Sequence, residues 1–361
     1  MDSKTNNYGV ILAGGVGRRL WPNSTTHKPK QFLDIFGVGR TLLQQSYDRF
    51  LKIVPLQHIF VSTFTEYAQL VEEQLPDLPK ENILVEPVQL GTGPAVAWAN
   101  CHIEALDPAA NIIISPSDLQ ILNEAEFVNS VTKGFHFVSQ TENFLALTVK
   151  PSFPETGYGY IQISEQTTPE GFAHVQSFTE KPDIQFAKMF VESGEFFWNT
   201  GLFMWNVKTM HTVLEKLIPN MMAHFEEAST LSQVQENAFI REYYPSSLYL
   251  SIDIIILEKA TNVYAACGKF GWADLGQWGS LYDVSDKDDN GNVVLDSRVI
   301  MHDCKNNIIR LPKDKIAVLQ GLDGFILAQQ GDIIFLCKNG DASLVRKLVN
   351  EAQMTLGEPY V

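Results

Sequence analysis

Positively charged side chains are densest in one short stretch near the N-terminus. The glycine-rich run Gly14-Gly15-Val16-Gly17 leads into Arg18 and Arg19, and Lys28 and Lys30 follow. Glycines allow backbone N–H groups to approach phosphate oxygens, because no Cβ stands in the way. Arginine presents a forked donor and lysine a point charge, and both suit phosphate oxygens. The stretch therefore predicts a site for a polyphosphate.

Spacing alone tests two common nucleotide-binding motifs in this stretch. The dinucleotide fingerprint requires G-x-G-x-x-G/A, but the third position counted from Gly15 is Leu20. The P-loop requires G-x-x-x-x-G-K-[ST], and no Lys-Ser or Lys-Thr pair follows a glycine at that distance. Both motifs are excluded, which leaves a glycine turn followed by arginines and a basic segment.

One aspartate is a candidate ligand for a metal ion. Asp118 follows a strongly apolar run that is predicted as a buried strand, so its carboxylate is expected to face the ligand-binding crevice. Mg²⁺ is typically bound by one or two carboxylates, together with phosphate oxygens and water. Spacing along the chain leaves open whether a second carboxylate meets Asp118.

Strands and helices must position these residues, and the first part of the chain alternates between them. Short, nearly continuous apolar runs are typical of strands buried on both faces, and they occur at Tyr8–Ala13, Gln57–Ser62, Asn82–Glu86, Asn111–Ser115 and Phe144–Val149. Amphipathic segments of helical length lie at Leu42–Phe50, Thr65–Gln74, Gly93–Leu106 and Ala125–Ser139. The alternation predicts an α/β fold with a mostly parallel sheet. Ligands bind at the carboxyl ends of such strands, so the loops after Ala13, Glu86 and Ser115 are the expected sites.

The pattern changes in the middle of the chain and again near its end. Gly157–Ile163 and His174–Thr179 are predicted as strands of an antiparallel insertion, followed by a helix at Asp183–Ser193. Short strands at regular spacing predict a small β-rich, β-helix-like domain, and they lie at Val293–Leu295, Val299–His302, Asn307–Leu311, Ile316–Gln320, Phe325–Gln329 and Ile333–Cys337. A closing helix is predicted at Ala342–Ala352. The polar run SDKDDNG places the expected boundary between domains 1–287 and 288–361.

Composition limits the partners and the compartment. The chain has 27 basic and 42 acidic residues, a formal charge of −15, which opposes binding to nucleic acid or to anionic membranes. Its four cysteines show no CxxC spacing, which favours separate thiols in a reducing compartment. No apolar run approaches the ~20 residues of a membrane span, and the first residues, MDSKTNN, lack the apolar core of a signal peptide. We expect a cytoplasmic protein.

The whole N-terminal stretch, GGVGRRLWPNSTTHKPKQFL, resembles the signature G-G-x-G-x-R-L-W-P-x-S-x-x-x-x-P-K-Q of sugar-1-phosphate nucleotidyltransferases. The elements LWP and PKQF favour the mannose-1-phosphate guanylyltransferase (GDP-mannose pyrophosphorylase) branch. The resemblance implies a Rossmann-like, mostly parallel mixed sheet of the GT-A-like type. It assigns Arg19 and Lys30 as catalytic cations. Through the motifs P-S-D and W-x-D-[VL]-G-x-W, it assigns Asp118 and Asp274 as catalytic metal ligands.

A second motif is similar to the family's base-recognition segment. The family has E-P-x-x-R-N-T-A-P-A, and this chain has EPVQLGTGPA from Glu86 to Ala95, with Leu90-Gly91 in place of Arg-Asn. The contacts to the base therefore stay open. The resemblance implies a set of nucleotide-binding residues, which are Leu12, Ala13, Gly14, Gly15, Gly17, Arg18, Glu86, Pro87, Gly91, Thr92 and Ser117.

Three further motifs match, in family order, the segments that recognise the sugar phosphate. They are TGYGYI at Thr156, FTEKP at Phe178 and WNTGLF at Trp198. The residues implied are Tyr158, Gly159, Glu180, Lys181, Asn199 and Gly201. Ser251-Ile252-Asp253 matches the family's S-I-D, and Asp253 is either structural or part of the sugar pocket.

The resemblance implies an enzyme that uses Mg²⁺ to form GDP-mannose and pyrophosphate from GTP and α-mannose 1-phosphate, by direct attack of the sugar phosphate on the α-phosphate. A homodimer is expected from the family and from the β-rich tail. Two alternatives stay open: a transferase for another pair, such as ATP, UTP or dTTP with glucose, heptose or fucose 1-phosphate, and a non-catalytic regulator that binds sugar nucleotides.

Overall fold

The computed structural model describes residues 5–340 and 342–357. The chain divides into two compact units, and each unit is built from separate stretches of the sequence. The first unit comprises the residues up to Gly14, Ser46–Ser117 and Ile121–Trp272. The second comprises Gly15–Gln45, Asp118–Gln120 and the residues from Ala273 onward. The predicted boundary between residues 287 and 288 stays a prediction.

The strands, in chain order, are β1 Asn7–Leu12, β2 Ile59–Phe64, β3 Ile83–Glu86, β4 Asn111–Pro116, β5 Leu119–Ile121, β6 Phe144–Val149, β7 Gly159–Thr167, β8 Ala173–Glu180, β9 Phe196–Asn206, β10 Val263–Gly268, β11 Trp272–Asp274, β12 Val293–Leu295, β13 Arg298–His302, β14 Ile308–Arg310, β15 Ile316–Gln320, β16 Phe325–Gln330 and β17 Ile333–Lys338.

The α-helices are α1 Leu42–Phe50, α2 Ala68–Gln74, α3 Thr92–Leu106, α4 Glu124–Gln140, α5 Ile184–Ser193, α6 Val207–Leu217, α7 Pro219–Ser229, α8 Gln233–Tyr243, α9 Trp278–Val284 and α10 Ala342–Leu356. Short 3₁₀ turns occur at Arg18–Leu20, Lys30–Phe32, Leu56–His58, Thr65–Tyr67, Lys80–Asn82 and Tyr244–Ser246, and a π-helix at Ile254–Lys259. No helix in the described ranges combines the length and the apolar character needed to cross a bilayer.

In the described part of the chain, the first unit contains a nine-stranded sheet with the order β3-β2-β1-β4-β9-β6-β10-β8-β7. Strands β3, β2, β1 and β4 run parallel, so their carboxyl ends share one edge. Their side chains are nearly all buried, as expected for strands covered on both faces. Together with the β-rich C-terminal part, this sheet confirms the predicted α/β fold class.

Strand β9 was not predicted, because Asn199, Thr200 and Gly201 interrupt its apolar run with residues typical of turns. It lies antiparallel between β4 and β6 and makes the sheet mixed. The pairing with β6 shifts at Leu147 and Thr148, where an irregularity interrupts the regular register. Irregularities of this kind re-aim side chains within a strand and are common beside functional sites.

The core of the second unit joins the segment that carries Leu20 and Trp21 to α9, the C-terminal strands and α10. Strands β12, β14 and β16 pair in parallel, as do β13 and β15, and β17 closes the first of these sheets antiparallel to β16. Stacked parallel strands of this kind form the predicted β-helix-like region. Buried Asn292 and Asn307 link its successive turns, because Asn307 N–H donates to Oδ1 of Asn292 (3.1 Å) and Phe325 N–H donates to Oδ1 of Asn307 (2.8 Å).

A buried polar contact fixes α3 against the sheet of the first unit. The indole N–H of Trp205 donates to Oδ1 of Asn100 (2.9 Å), and Nδ2 of Asn100 donates to the carbonyl of Val207 (3.2 Å). Asn100 and Trp205 are fully buried. Because α3 begins at the predicted base-recognition segment, this contact helps to position that segment.

We expect Asn100→Ala to lower the free energy of unfolding by about 1–3 kcal/mol, because the indole N–H loses its acceptor inside the core. Urea denaturation checks the change. The matched control is Asn129→Ala, which makes the same substitution at an exposed position inside α4. Equal stability of both variants would contradict the role of Asn100.

Candidate active site

The glycine-rich loop of the second unit brings a lysine side chain against the backbone. Gly17 has φ +67°, in the left-handed region that favours glycine. A Cβ at this position would lie 2.7 Å from Oγ of Ser24 and 2.8 Å from Cγ of Lys30. Ser24 in turn donates to the carbonyl of Val16 (3.0 Å) and closes the turn. Glycine is therefore required at position 17, because a side chain there would collide with Ser24 and with the side chain of Lys30.

Lys30 is 7% exposed and forms an ion pair with the carboxylate of Asp118. A buried lysine without such a partner would be costly, since burial penalises its charge. The carbonyl of Asp118 also accepts a hydrogen bond from the N–H of Leu275 (3.1 Å), which fixes the segment that carries Asp274. Two residues far apart in the sequence, Asp118 and Asp274, are thus held in one unit.

Arg19 and Asp274 border the same glycine. A Cβ on Gly276 would lie 3.0 Å from Nη2 of Arg19 and 2.9 Å from Oδ1 of Asp274. Burial raises the pKa of Asp274, and the nearby charge of Asp118 raises it further, while the cations of Lys30 and Arg19 act in the opposite direction. All four predicted catalytic residues therefore come together in the second unit. We call them the charged cluster: Arg19, Lys30, Asp118 and Asp274.

The charged cluster fits a divalent cation that is bound together with its substrate. Within residues 5–340 and 342–357, no group of three or more histidine, cysteine or acidic side chains is placed to hold a metal ion by itself. Two carboxylates are close enough for the charge of Asp118 to raise the pKa of Asp274. Oxygen ligands of this kind suit Mg²⁺ when phosphate and water complete the coordination.

The other predicted phosphate-loop residues occupy different places. In the first unit, the backbone at the end of β1 is held by neighbouring strand ends: Ala13 N–H donates to the carbonyl of Ser62 (2.8 Å), and Ser117 N–H donates to the carbonyl of Leu12 (3.1 Å). A Cβ on Gly14 would lie 3.0 Å from the ring of Phe64. In the second unit, Gly15 and Arg18 are exposed.

Glu86, predicted to bind the nucleotide, has its carboxylate inside the first unit. It accepts hydrogen bonds from the hydroxyls of Ser62 (2.7 Å) and Tyr244 (2.5 Å) and is 4% exposed. Burial raises its pKa to about 7, and the two hydrogen bonds partly oppose the increase. The side chain therefore anchors the end of β3, and the residues that follow it form the accessible part of the segment. Pro87 is half-buried there, at the start of the loop.

The segment from Leu90 to Gly93 is docked onto residues 250–252. The N–H of Leu250 donates to the carbonyl of Leu90 (3.1 Å), and the N–H of Gly93 donates to the carbonyl of Leu250 (2.8 Å). The hydroxyl oxygen of Thr92 accepts from the N–H of Ile252 (2.9 Å). Gly91 and Thr92 thus stand at the start of α3, whose first turn has one N–H group paired with Leu250 and a proline at position 94.

The predicted sugar-phosphate residues on β7 and β8 lie together. A Cβ on Gly159 would lie 2.8 Å from Oε2 of Glu180, so the carboxylate rests on the glycine backbone. Lys181 forms an exposed ion pair with Glu180, and its N–H donates to the carbonyl of Tyr158 (3.2 Å). The backbone of Lys181 has φ +46°, a strained conformation for a residue with a side chain. Such strain is common where a side chain must be aimed at a ligand.

Asn199 and Gly201 are positioned by the irregular part of β9. Nδ2 of Asn199 donates to the carboxylate of Asp253 (2.6 Å), and its Oδ1 accepts from the N–H of Gly201 (3.1 Å). Gly201 has φ +75°, and a Cβ there would lie 3.0 Å from Cγ of Pro116. The side chain of Asn199 therefore has a fixed orientation.

One aromatic residue near these motifs lies outside the predicted set of site residues. Trp272 packs edge-on against Tyr158, with ring centroids 5.0 Å apart. Its indole N–H is buried and has no hydrogen-bond partner in the described part of the chain. Buried donors without a partner are uncommon in folded proteins and often have a functional role. Its position two residues before Asp274 was the available signal.

Comparisons with a family model and with known proteins place this chain in one family. The family model described as "Nucleotidyl transferase" matches residues 8–291. The chain is similar to mannose-1-phosphate guanylyltransferase 2 of Escherichia coli O157:H7, with 30% identity over 98% of this chain and 74% of the relative. It is also similar to mannose-1-phosphate guanylyltransferase RfbM of Salmonella typhimurium (31%, over 94% and 71%). Alginate biosynthesis protein AlgA of Pseudomonas aeruginosa is 33% identical, over 95% and 71%.

The same similarity extends to solved structures. A crystal structure from Thermus thermophilus, described as a mannose-1-phosphate geranyltransferase, superimposes with a TM-score of 0.85 at 26% identity. The match covers 97% of this chain and 100% of that chain. The fold is therefore shared over nearly the whole length.

The raised pKa of Glu86 predicts a pH-dependent stability. The folded protein holds the Glu86 proton up to about pH 7, whereas the unfolded chain loses it near 4.5, so stability falls as the pH rises between these values. The full difference is roughly 3 kcal/mol, because one pKa unit corresponds to about 1.36 kcal/mol.

Glu86→Gln should flatten this decline, which urea denaturation at pH 5, 6, 7 and 8 would measure. The control is Glu81→Gln, at an exposed glutamate next to the start of β3, and it should leave the decline as in the wild type. Parallel stability curves for the wild type and Glu86→Gln would contradict the buried titration.

Proposed function

We propose that this chain, which belongs to the nucleotidyl transferase family and is a sugar-1-phosphate nucleotidyltransferase, transfers a guanylyl group from GTP to α-D-mannose 1-phosphate. The products are GDP-mannose and pyrophosphate. Relatives named mannose-1-phosphate guanylyltransferases, about 30% identical over nearly the full chain, support this choice of substrates. The observation that carries the proposal is the charged cluster, which combines two cations and two carboxylates in an otherwise acidic protein.

The reaction proceeds by direct in-line attack. An oxygen of the sugar phosphate forms a bond to the α-phosphorus of GTP, and the bond from that phosphorus to the bridging oxygen breaks, so that pyrophosphate leaves. Both reactants are anions, and the protein must therefore neutralise charge and align the reacting groups. Lys30 and Arg19 bind triphosphate oxygens and stabilise the charge that develops on the leaving group. The burial of Lys30 strengthens this effect, since charges interact more strongly away from water.

Asp118 and Asp274 are the residues that would hold Mg²⁺. The ion would lower the negative charge of the α-phosphate and help to fix the line of attack. In the free protein, Lys30 serves as the counter-ion of Asp118. Burial raises the pKa of Asp274, and a divalent cation beside it would stabilise its ionised form.

The two substrates are recognised in the first unit. The loop from Pro87 to Thr92 binds the nucleotide, with backbone groups at the start of α3 in the place of the Arg-Asn side chains of the family. Lys181 neutralises the sugar phosphate, and Asn199 and Glu180 hydrogen-bond to sugar hydroxyls. These roles agree with the fixed orientation of Asn199 and with the exposure of the Lys181 side chain.

We also propose a cytoplasmic homodimer. The exposed apolar side chains of Ile300 on β13 and Val318 on β15, which are neighbours in register, support an interface on the β-rich region. Because the net charge is −15, the protein as a whole repels nucleic acid and anionic membranes. We therefore propose small anionic substrates, bound at a local basic site, as its partners.

One observation favours a second candidate. Leu90-Gly91 stand where the family has Arg-Asn, so the chain offers no side-chain fork for the edge of a guanine base at this point. A transferase for another nucleoside triphosphate and sugar 1-phosphate is therefore the alternative to test.

Pyrophosphate release, measured over a grid of GTP, ATP, UTP and dTTP with mannose, glucose and fucose 1-phosphates, tests the proposal. We expect the highest kcat/KM for GTP with mannose 1-phosphate, and an absolute requirement for a divalent cation. Asp274→Asn should lower kcat by about 100-fold or more, the loss expected when a preorganised stabilising group is removed. The matched control is Asp289→Asn, at an exposed aspartate of the same unit, and it should retain activity.

Each other outcome has a definite meaning. A higher kcat/KM for a different pair would replace the substrates and keep the enzyme class. Release of no pyrophosphate from any pair would favour a non-catalytic binder of sugar nucleotides. Normal turnover by Asp274→Asn would remove this residue from the proposed mechanism.

A further inference from the structure

Residues 250–253, which we call the linking segment, contact both substrate-recognition regions of the first unit. At its start, Leu250 exchanges two backbone hydrogen bonds with the nucleotide loop, one with the carbonyl of Leu90 (3.1 Å) and one with the N–H of Gly93 (2.8 Å). The N–H of Ile252 adds a third, to the hydroxyl oxygen of Thr92 (2.9 Å). Residues 90–93 are therefore held to the linking segment by two main-chain hydrogen bonds and one to a side-chain hydroxyl.

At its end, the linking segment holds the sugar-binding side. The carboxylate of Asp253 accepts from Nδ2 of Asn199 (2.6 Å) through one oxygen and from the hydroxyl of Ser251 (2.7 Å) through the other. The hydroxyl oxygen of Ser251 also accepts from the N–H of Asp253 (3.2 Å), which closes a tight turn. Ile252, which contacts the nucleotide loop, is thus followed directly by Asp253, which contacts Asn199.

The close approach at Leu250 depends on glycine at position 91. Gly91 has φ +82°, and a Cβ there would lie 2.6 Å from the carbonyl oxygen of Leu250. Its ψ of −176° places it in a region that is open almost only to glycine. Leu90, the other residue that departs from the family pattern, packs against the core of the first unit. Glycine at position 91 therefore permits the close approach of the loop to the linking segment.

The linking segment also leads directly into the π-helix Ile254–Lys259. Ile255 and Ile256 anchor this helix in the core of the first unit. Single π-turns are rare and are often found at functional sites. The linking segment is thus anchored at the π-helix and hydrogen-bonded both to the nucleotide loop and to Asn199. A displacement at one of these contacts is therefore transmitted to the other.

We propose that the linking segment couples the two substrates, so that a nucleotide bound to the loop at residues 90–93 tightens the binding of the sugar phosphate beside Asn199. Asp253 is then a positioning residue that acts through Asn199. The inference rests on the proposed function, since it assumes that these two regions bind the two substrates. Its physical basis is that both regions are hydrogen-bonded to the same short segment, so a ligand that holds the segment in its binding position at one end favours the same position at the other. By thermodynamic linkage, each substrate must tighten the other by the same factor.

Isothermal titration of mannose 1-phosphate, with and without a GTP analogue that has a methylene group between its α- and β-phosphorus atoms, measures this coupling in the absence of turnover. The analogue should tighten sugar-phosphate binding to the wild type by about fivefold or more, the lower end of typical coupling between sites. In Asp253→Ala the factor should fall to about one, because the link to Asn199 is removed.

Two variants separate the proposed role from a general structural one. Asp253→Asn should retain most of the coupling, since its carbonyl oxygen can accept from Asn199 while its amide donates to the Ser251 hydroxyl. Glu258→Gln, at an exposed carboxylate in the π-helix, should leave the coupling as in the wild type. If Asp253→Ala does not fold, Thr92→Val removes one of the three hydrogen bonds at the other end of the segment and should lower the coupling factor in part.

A wild-type factor of one, or full coupling in a folded Asp253→Ala variant, would overturn the inference. The grid of pyrophosphate-release assays keeps this result separate from the proposed function. If the grid selects another pair, the titration is made with that sugar phosphate and the matching methylene analogue. Turnover without coupling would refute only the role of the linking segment, whereas absence of turnover would refute the proposed function.

Discussion

Two carboxylates held close together repel each other, and the second unit holds such a pair at a partly buried site. Asp118 and Asp274 come from distant parts of the chain and are tied together by the hydrogen bond from Leu275 to the carbonyl of Asp118. Lys30 pairs with the first, and Arg19 lies beside the second. A protein with a charge of −15 needs such a local concentration of cations to accept a triphosphate at all. The positions of the two aspartates therefore depend on the positive charges of Lys30 and Arg19, which offset the repulsion between the carboxylates.

In the first unit, the predicted recognition residues are positioned by glycines that allow the backbone to lie close to neighbouring groups. Gly159 lies against the carboxylate of Glu180, and Gly91 lies against the carbonyl of Leu250. In both places a side chain would occupy the space of a recognition element. Fixed main-chain positions are well suited to substrate recognition, because their donors and acceptors lose little conformational freedom when a ligand binds.

Much of this organisation could be predicted from the sequence, and the exceptions have physical causes. The alternating strands and helices were predictable because their strands are continuously apolar, and the stacked C-terminal strands because of their even spacing. Strand β9 was not predicted, because Asn199, Thr200 and Gly201 interrupt its apolar sequence. The hydrogen bond from Tyr244 to the Glu86 carboxylate could not be predicted, because Tyr244 lies 158 residues further along the chain. The contact of Asp253 with Asn199 likewise joins residues from distant parts of the sequence.

In the proposed mechanism, Asp118 and Asp274 together bind the divalent cation that accompanies the triphosphate. This can be tested with a crystal of the protein grown with Mn²⁺ and the methylene analogue of GTP, measured at the manganese absorption edge. We expect an anomalous peak within coordination distance of a carboxylate oxygen of each aspartate and of the α-phosphate, with Lys30 and Arg19 on the phosphate oxygens. A nucleotide bound with no such peak, or with its metal away from both aspartates, would contradict it.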